Sequence, residues 1–313
     1  MKLLVLTSGG DAPGMNMVLY LLYKEFGKNL YACRAGFKGL INNDILPISE
    51  FKPQKYARCA GSCIKCSRCP EFKEEKWFKI ALENAKKFDV VIVMGGNGSY
   101  KGCQDLHRNG VRTIFIPSTI DNDVTVSDYS IGFHTAVNAC QEMIENIMPT
   151  MEAFDRCCVF ETMGRNSEKI AKCTATSQLC DYLIASKDDI DYPKIAEIVK
   201  NNHQLGHSSC IVMKEKLMKQ STFISSLQKL VPEVEIRGTV IGYVQRGSKP
   251  TIIELEYAKF FAKLIIKVLC TKDYSAAIVY KNGKFDILYQ KDEEIISCNR
   301  EKLEKKIKKQ NID

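Results

Sequence analysis

One junction recurs along this chain and constrains its fold more than any other feature. A short, wholly apolar run passes directly into glycines or small polar residues and then into an amphipathic stretch. Leu3-Leu4-Val5-Leu6-Thr7 enters Ser8-Gly9-Gly10-Asp11-Ala12-Pro13-Gly14, and an apolar helix is expected from Asn16 to about Lys28. Phe88-Asp89-Val90-Val91-Ile92-Val93-Met94 enters Gly95-Gly96-Asn97-Gly98-Ser99, again with a helix expected to follow. Thr113-Ile114-Phe115-Ile116-Pro117 ends in Ser118-Thr119-Ile120-Asp121-Asn122-Asp123. A strand that is apolar on both faces has both faces covered, which is the signature of a parallel sheet with helices on either side. Ligands of such sheets bind at the carboxyl ends of the strands, where these loops gather.

The second half repeats the style. Cys157-Cys158-Val159-Phe160-Glu161 leads into Thr162-Met163-Gly164-Arg165, strands are expected at 181–185 and 209–213, and 238–242 leads into Tyr243-Val244-Gln245-Arg246-Gly247. There is no sequence repeat and no low-complexity linker, and 313 residues exceed one small core. The expected architecture is α/β, two lobes that share a cleft, each with a mostly parallel sheet flanked by helices. The boundaries expected are 1–132 plus 245–295 for one lobe and 133–244 plus 296–313 for the other.

Composition narrows the function classes. Hydrophobic residues make up 45% of the chain, yet no apolar run approaches the ~18 residues that span a bilayer. The opening apolar stretch is too short for a signal peptide, so no membrane partner and a cytoplasmic location are expected. Fourteen cysteines are then read as reduced thiols, most of them buried. The formal charge is +8, and the one dense basic cluster, Lys302 to Lys309, carries Leu303 and Ile307 four residues apart. That spacing predicts an amphipathic terminal helix rather than a nucleic-acid arm, which leaves small phosphorylated ligands as the partners of the remaining charge.

The chemistry-bearing residues point the same way. Glycine loops between strand and helix let backbone N–H groups approach phosphate oxygens, although neither loop has the Gly-Lys-Ser/Thr ending of a P-loop. Asp121 and Asp123 follow a buried strand, either as a polar turn capping a helix or as a base and metal ligand for phosphoryl transfer. Arg68, Arg156, Arg165, Arg237 and Arg246 stand at or near expected strand ends and loops, where guanidinium groups can grip phosphate. Cys59, Cys63, Cys66 and Cys69 have a spacing that could hold zinc or an iron–sulfur cluster, set against ten further cysteines that make a thiol-rich background the simpler reading. His107, His134, His203 and His207 show no ligand spacing, and no Gly-x-Ser-x-Gly elbow is present.

Taken together, residues 7–16 (Thr-Ser-Gly-Gly-Asp-Ala-Pro-Gly-Met-Asn) resemble the opening motif of the phosphofructokinase family, and 117–123 resemble its catalytic loop. Met163-Gly164-Arg165 and 242–247 resemble two of its sugar-phosphate loops, and Arg68-Cys69-Pro70-Glu71-Phe72 a further motif, all in the family's order between about residues 3 and 280. The resemblance implies a phosphofructokinase-like fold and transfer of a phosphoryl group from ATP, with Mg2+, to fructose 6-phosphate; a catalytically weak homologue acting as a sugar-phosphate sensor or regulatory subunit and a pyrophosphate-dependent enzyme are the alternatives. It implies Asp121 as the base, Thr119 and Asp123 beside it, and Gly10, Arg68 and Arg165 around the moving phosphoryl group. Arg156 and Arg237 would reach the 6-phosphate from a neighbouring subunit of a homo-oligomer, a tetramer in the family's usual form. Thr119, Ile120, Asp121, Asp123, Met163, Gly164, Arg165, Glu215, Tyr243 and Arg246 would shape the sugar site. Gly10, Phe37, Arg68, Cys69, Asn97, Gly98, Ser99 and Gly102 would meet the nucleotide, with Asn97 and Asp123 on the metal. Asn97 replaces the family's usual Asp, Ser118 its Gly, Tyr243 its His and Cys69 an aromatic. Tyr20 and Lys24 replace two effector-binding arginines, and 203–208 lacks basic residues, so weak or absent activation by a nucleoside diphosphate is expected.

Overall fold

The protein is described by a computed structural model over residues 1–271, 274–291 and 294–297. It divides into two compact units. Among the described residues the first comprises 1–119, 123–132 and those from 249 onward, and the second comprises 120–122 and 133–248. Residues 245–248 fall with the second unit, and the sheet pairing of 296 and 297 lies in the first. The terminal helix expected around 302–309 lies outside the described residues.

In chain order the first unit contains β1 (Leu3–Thr7), α1 (Met15–Phe26), β2 (Leu30–Cys33), α2 (Gly36–Ile41), β3 (Ile45–Pro47), α3 (Pro53–Tyr56), α4 (Glu75–Ala85), β4 (Val90–Gly95), α5 (Asn97–Arg108) and β5 (Thr113–Pro117). The second adds α6 (Phe133–Glu152), β6 (Cys157–Thr162), α7 (Lys169–Ser177), β7 (Tyr182–Ile184), α8 (Tyr192–Gln204), β8 (Ser209–Lys214), α9 (Gln220–Gln228), β9 (Ile236–Val240) and α10 (Val244–Gly247). The chain then returns to the first unit with α11 (Ile252–Thr271), β10 (Ser275–Lys281), β11 (Lys284–Lys291) and β12 (Glu294–Ser297).

The expected parallel sheets are present. The first unit's sheet has the order β12-β11-β10-β5-β4-β1-β2-β3. Its five central strands are parallel, β3 at one edge and β11 near the other run against them, and β12 pairs antiparallel with β11. Every residue of β1, β4 and β5 is buried, because helices cover both faces. The second unit's sheet, β7-β8-β6-β9, is parallel throughout. Each sheet has its own apolar core: Leu4, Leu6, Val91, Val93 and Phe115 anchor one, and Val159, Ile211, Met213 and Phe223 the other. Helix α1 starts at Met15, one residue earlier than expected, because Gly14 adopts φ +100 at its entry, where a Cβ would meet Ile131 Cγ2 at 2.8 Å. No described helix is long and apolar enough to cross a membrane.

Candidate active site

In each sheet, strand order reverses direction beside the first strand of its unit. In the first unit, β1 leads outward to β2 and β3 on one side, and the chain then resumes at β4 on the other. A crevice forms at the carboxyl ends flanking such a reversal, and here those ends carry the two glycine loops. The loops are joined to one another: Ser8 N–H donates to Met94 O at 2.9 Å, and Ser99 Oγ donates to Ser8 O at 3.2 Å. Ser99 is 4% exposed, so its hydroxyl holds the two loops in register rather than reaching outward. Gly10 is exposed, and around Gly98 nothing lies within 4 Å of where a Cβ would stand. Gly102 and Phe37 lie deeper. Phe37 is buried, stacked on Phe72 at 4.1 Å between ring centroids, and it forms the floor under Gly102. Arg68 is exposed and Cys69 half-buried against the core.

The third loop follows β5. Ser118 is fully buried; its N–H donates to Gly95 O at 2.8 Å and its Oγ to Ile116 O at 3.3 Å. Thr119 lies over Gly96, and its carbonyl accepts from Ser130 Oγ at 2.6 Å. Ile120 is buried and Asp121 and Asp123 are half-exposed. No helix begins before Phe133, so neither aspartate is a helix cap. Asn122, between them, is buried at φ +48, a left-handed conformation that Asn tolerates better than most residues. Its carbonyl accepts from Lys169 Nζ at 2.8 Å. The Asn97 amide is tied to this turn at both of its atoms: its Nδ2 donates to Asp123 O at 2.7 Å and its Oδ1 accepts from Thr125 N–H at 3.1 Å.

The second unit has its own reversal, where β6 stands between β8 and the late strand β9. A cavity of about 210 Å³ opens there, lined by Glu161, Met163, Glu215, Gly242 and Tyr243 among others. Glu215 Oε1 accepts from the N–H groups of Gly164 (3.2 Å) and Arg165 (2.7 Å), which fixes the loop in which Arg165 is left-handed at φ +54. Gln245, fully buried, ties the two walls: it accepts from Met163 N–H at 3.1 Å and donates to Gly242 O at 3.0 Å. Glu161 is pushed above the usual carboxylate range, first by burial and then by the neighbouring Glu215 carboxylate. Tyr243 is 78% exposed, with the Arg246 guanidinium 6.0 Å from its ring centroid.

Two expected site residues are not brought to this cavity. Arg156 immediately precedes β6, and Arg237 pairs with Cys158 near the start of that strand, whereas Met163 and Tyr243 follow the far ends of β6 and β9. A strand of this length separates the two groups by roughly 15–20 Å. Arg156 and Arg237 both form ion pairs with Glu235.

Comparison with known proteins bears on the same residues. The phosphofructokinase family profile matches residues 2–269. The chain belongs to the phosphofructokinase family. It is 32% identical over 296 residues to the ATP-dependent 6-phosphofructokinase of Mesomycoplasma hyopneumoniae, covering 91% of this chain and 92% of that one. It is 30% identical over 285 residues to the enzyme of the same name from Clostridium botulinum, covering 90% and 89%. Among solved structures, phosphofructokinase of Pichia pastoris in the T-state superposes with a TM-score of 0.81 at 22% identity, over 92% of this chain and 34% of the larger one. A pyrophosphate-dependent phosphofructokinase of Marinobacter aquaeolei superposes with a TM-score of 0.73 at 17% identity, over 94% and 84%. These two structural likenesses speak to the fold.

In this phosphofructokinase the cysteine-rich segment has a structural explanation. Asn16 Nδ2 donates to the carbonyls of Cys59 and Ala60, both at 3.1 Å, and its Oδ1 accepts from Cys63 N–H at 2.7 Å. Thr7 Oγ1 donates to Lys65 O at 2.8 Å, and Gly9 N–H to Ser67 O at 3.0 Å. The segment is thus stitched to the first glycine loop largely through its main chain, with the Ser62 hydroxyl 2.9 Å from Thr7 Oγ1. Among the described residues no three His, Cys, Asp or Glu side chains gather to hold a metal. The described cysteines are free thiols, of which six of thirteen are buried, fewer than expected. Burial pushes the buried Cys103 and Cys140 thiols up to about 12 and the half-exposed Cys63 up to about 11. The hollow beside this segment, about 690 Å³, sets Lys52 and Lys65 against Asp11 and Glu50, so it is not a dedicated anion site. Lys169 lies in none of the motifs read from the sequence, and Gln245, inside 242–247, takes no role from them. A lysine at the first position of a helix opposes the helix dipole, and that local misfit is the signal that could have marked Lys169.

Proposed function

We propose that this chain catalyses the glycolytic 6-phosphofructokinase reaction: the γ-phosphoryl group of ATP passes to the 1-hydroxyl of fructose 6-phosphate, giving fructose 1,6-bisphosphate and ADP. The observation that carries the reading is the turn after β5. It places Asp121 two residues beyond Thr119, in a chain whose relatives of 30% identity and above carry that activity in their names. Asp121 takes the proton from the sugar hydroxyl as that oxygen attacks phosphorus. Thr119 and Asp123 flank it, and Gly10 N–H, Arg68 and Arg165 offset charge on the transferring group. Nucleotide contacts fall to the open backbone at Gly10 and Gly98. Phe37, Ser99 and Gly102 shape the floor from below, and Cys69 flanks it. Buried, small Ser118 and the unobstructed space at Gly98 support ATP as the donor over pyrophosphate.

Met163, Gly164, Glu215, Tyr243 and Arg246 form the sugar site, and Ile120 packs beneath the catalytic turn. Arg156 and Arg237, at the opposite end of the strands, cannot serve the same sugar phosphate in one chain. Their position supports a homo-oligomer, a tetramer by the family's habit, in which they bind the 6-phosphate held by a neighbouring subunit. The donor set suits magnesium that arrives with the nucleotide: Mg2+ is commonly held by one or two carboxylates together with substrate phosphates, and Asp123 provides one carboxylate. When bound, the ion neutralises charge on the phosphates. The reaction and its substrates support a cytoplasmic location.

A coupled assay with fructose 6-phosphate and magnesium, run with ATP and separately with pyrophosphate, tests this function. Turnover with ATP alone is expected. Turnover with pyrophosphate alone would overturn the donor assignment, and none with either would overturn the activity.

A further inference from the structure

Asn97 opens α5, and its carboxamide is spent in two directions on one turn. Nδ2 donates to the carbonyl of Asp123 and Oδ1 accepts from the N–H of Thr125. The partners fix the orientation of the amide, because a carbonyl only accepts and a peptide N–H only donates. The turn has no ladder of its own to hold these groups: residues 122–125 belong to neither strand nor helix. An aspartate in the same place would keep the acceptor for Thr125 but would face the Asp123 carbonyl with a second acceptor at the 2.7 Å now bridged by a proton. The amide is therefore required for the geometry seen, and it is not a weakened carboxylate.

We propose that Asn97 is a positioning residue that clamps the main chain of residues 123–125, so that the Asp123 carboxylate is presented to the nucleotide's magnesium, and that Asn97 does not ligate the metal. The inference rests on the phosphotransfer function proposed above. The clamp and the ligand roles make opposite predictions for one substitution. If Asn97 is a clamp, Asn97→Asp and Asn97→Ala both raise the half-saturating magnesium concentration, by roughly fivefold for one lost hydrogen bond. If Asn97 is a ligand, Asn97→Asp lowers it.

The experiment combines three readouts on the full-length protein. Magnesium dependence of turnover is measured for wild type and both variants. Binding of Mn2+ in the presence of ATP is followed by electron paramagnetic resonance, without turnover. Hydrogen–deuterium exchange is followed in the peptide covering 121–127. Weaker metal binding and faster exchange in both variants are expected. Tighter metal binding in Asn97→Asp with unchanged exchange overturns the clamp, and so does a lowered melting temperature with metal binding unaltered in both variants. If wild type turns over with neither donor, the activity fails, while Mn2+ binding and exchange still decide the role of Asn97.

Discussion

Replacing Gln245 by Leu should damage the sugar site through two walls that the side chain never lines. Gln245 is fully buried, accepts from Met163 N–H and Cys140 Sγ (3.2 Å), and donates to Gly242 O. Leucine nearly matches its volume, so no large cavity opens, but a main-chain donor and a main-chain acceptor lose their partner. An orphaned buried group costs about 1–3 kcal/mol. Gly242 is only half-buried, and Met163 N–H borders the cavity, so water compensates in part and the low end applies. The expected loss is about 2 kcal/mol, falling on the loops that carry Met163 and Tyr243. If half of it appears as loosened loops in the free enzyme, half-saturating fructose 6-phosphate rises about fivefold, while kcat, set at the other loops, changes by less than twofold. Steady-state kinetics at saturating ATP, paired with urea denaturation, measures both. A half-saturation within 1.5-fold of wild type alongside a 2 kcal/mol loss of stability would refute the claim that this glutamine transmits order to the sugar loops.

Four further outcomes are expected. Asp121→Ser abolishes turnover while fructose 6-phosphate still binds by calorimetry; residual activity above one per cent would remove Asp121 as the base. Gly102→Ala lowers the melting temperature despite its better helix propensity, because the added carbon meets Phe37 Cζ at 2.8 Å and that ring is pinned by Phe72. Overpacking of about 1–3 kcal/mol exceeds the ~1 kcal/mol propensity gain. Glu161→Gln stabilises the protein more at pH 7 than at pH 4. The stability attached to the protonated carboxyl is present below the ordinary pKa and lost as pH rises through the raised one, and glutamine stays neutral throughout; equal melting shifts at the two pH values would count against it. Lys169→Met frees the Asn122 carbonyl beside the base and lowers kcat roughly fivefold with half-saturations nearly unchanged, whereas a wild-type kcat would show that the turn holds itself.

The parallel cores could be read from sequence because burial on both faces leaves an unbroken apolar run, as in Leu3–Thr7 and Thr113–Pro117. Strands β2 and β3 escape that reading, since four and three residues are too few to show a period. The β10–β11 hairpin has a local mark in Asn282-Gly283, both left-handed, the pair that a tight hairpin turn favours. The proposed site residues stand out as motifs, but the hydrogen bonds that some residues of these loops make do not. Ser99 donates to a carbonyl 91 positions away, Lys169 to one 47 away and Asn97 to one 26 away. All three acceptors are main-chain oxygens, which every residue possesses, so no pattern of side chains can announce them. Arg156 and Arg237 likewise look like neighbours of the sugar loops in sequence, and only strand direction sends them to the other end of the sheet.

The segment from Cys59 to Ser67 has a practical consequence of another kind. Its attachments to Thr7, Gly9 and Asn16 are made largely through peptide groups of residues 59, 60, 63, 65 and 67, joined by the Ser62 hydroxyl at 2.9 Å from Thr7 Oγ1. The main chain sets most of that shape, with the fully buried Ile64 side chain beneath it. Serine at exposed Cys59, whose peptide carbonyl rather than its thiol meets Asn16, should therefore leave the structure and its melting temperature unchanged. The stretch that looks most specialised by composition is held mostly by groups that every residue carries.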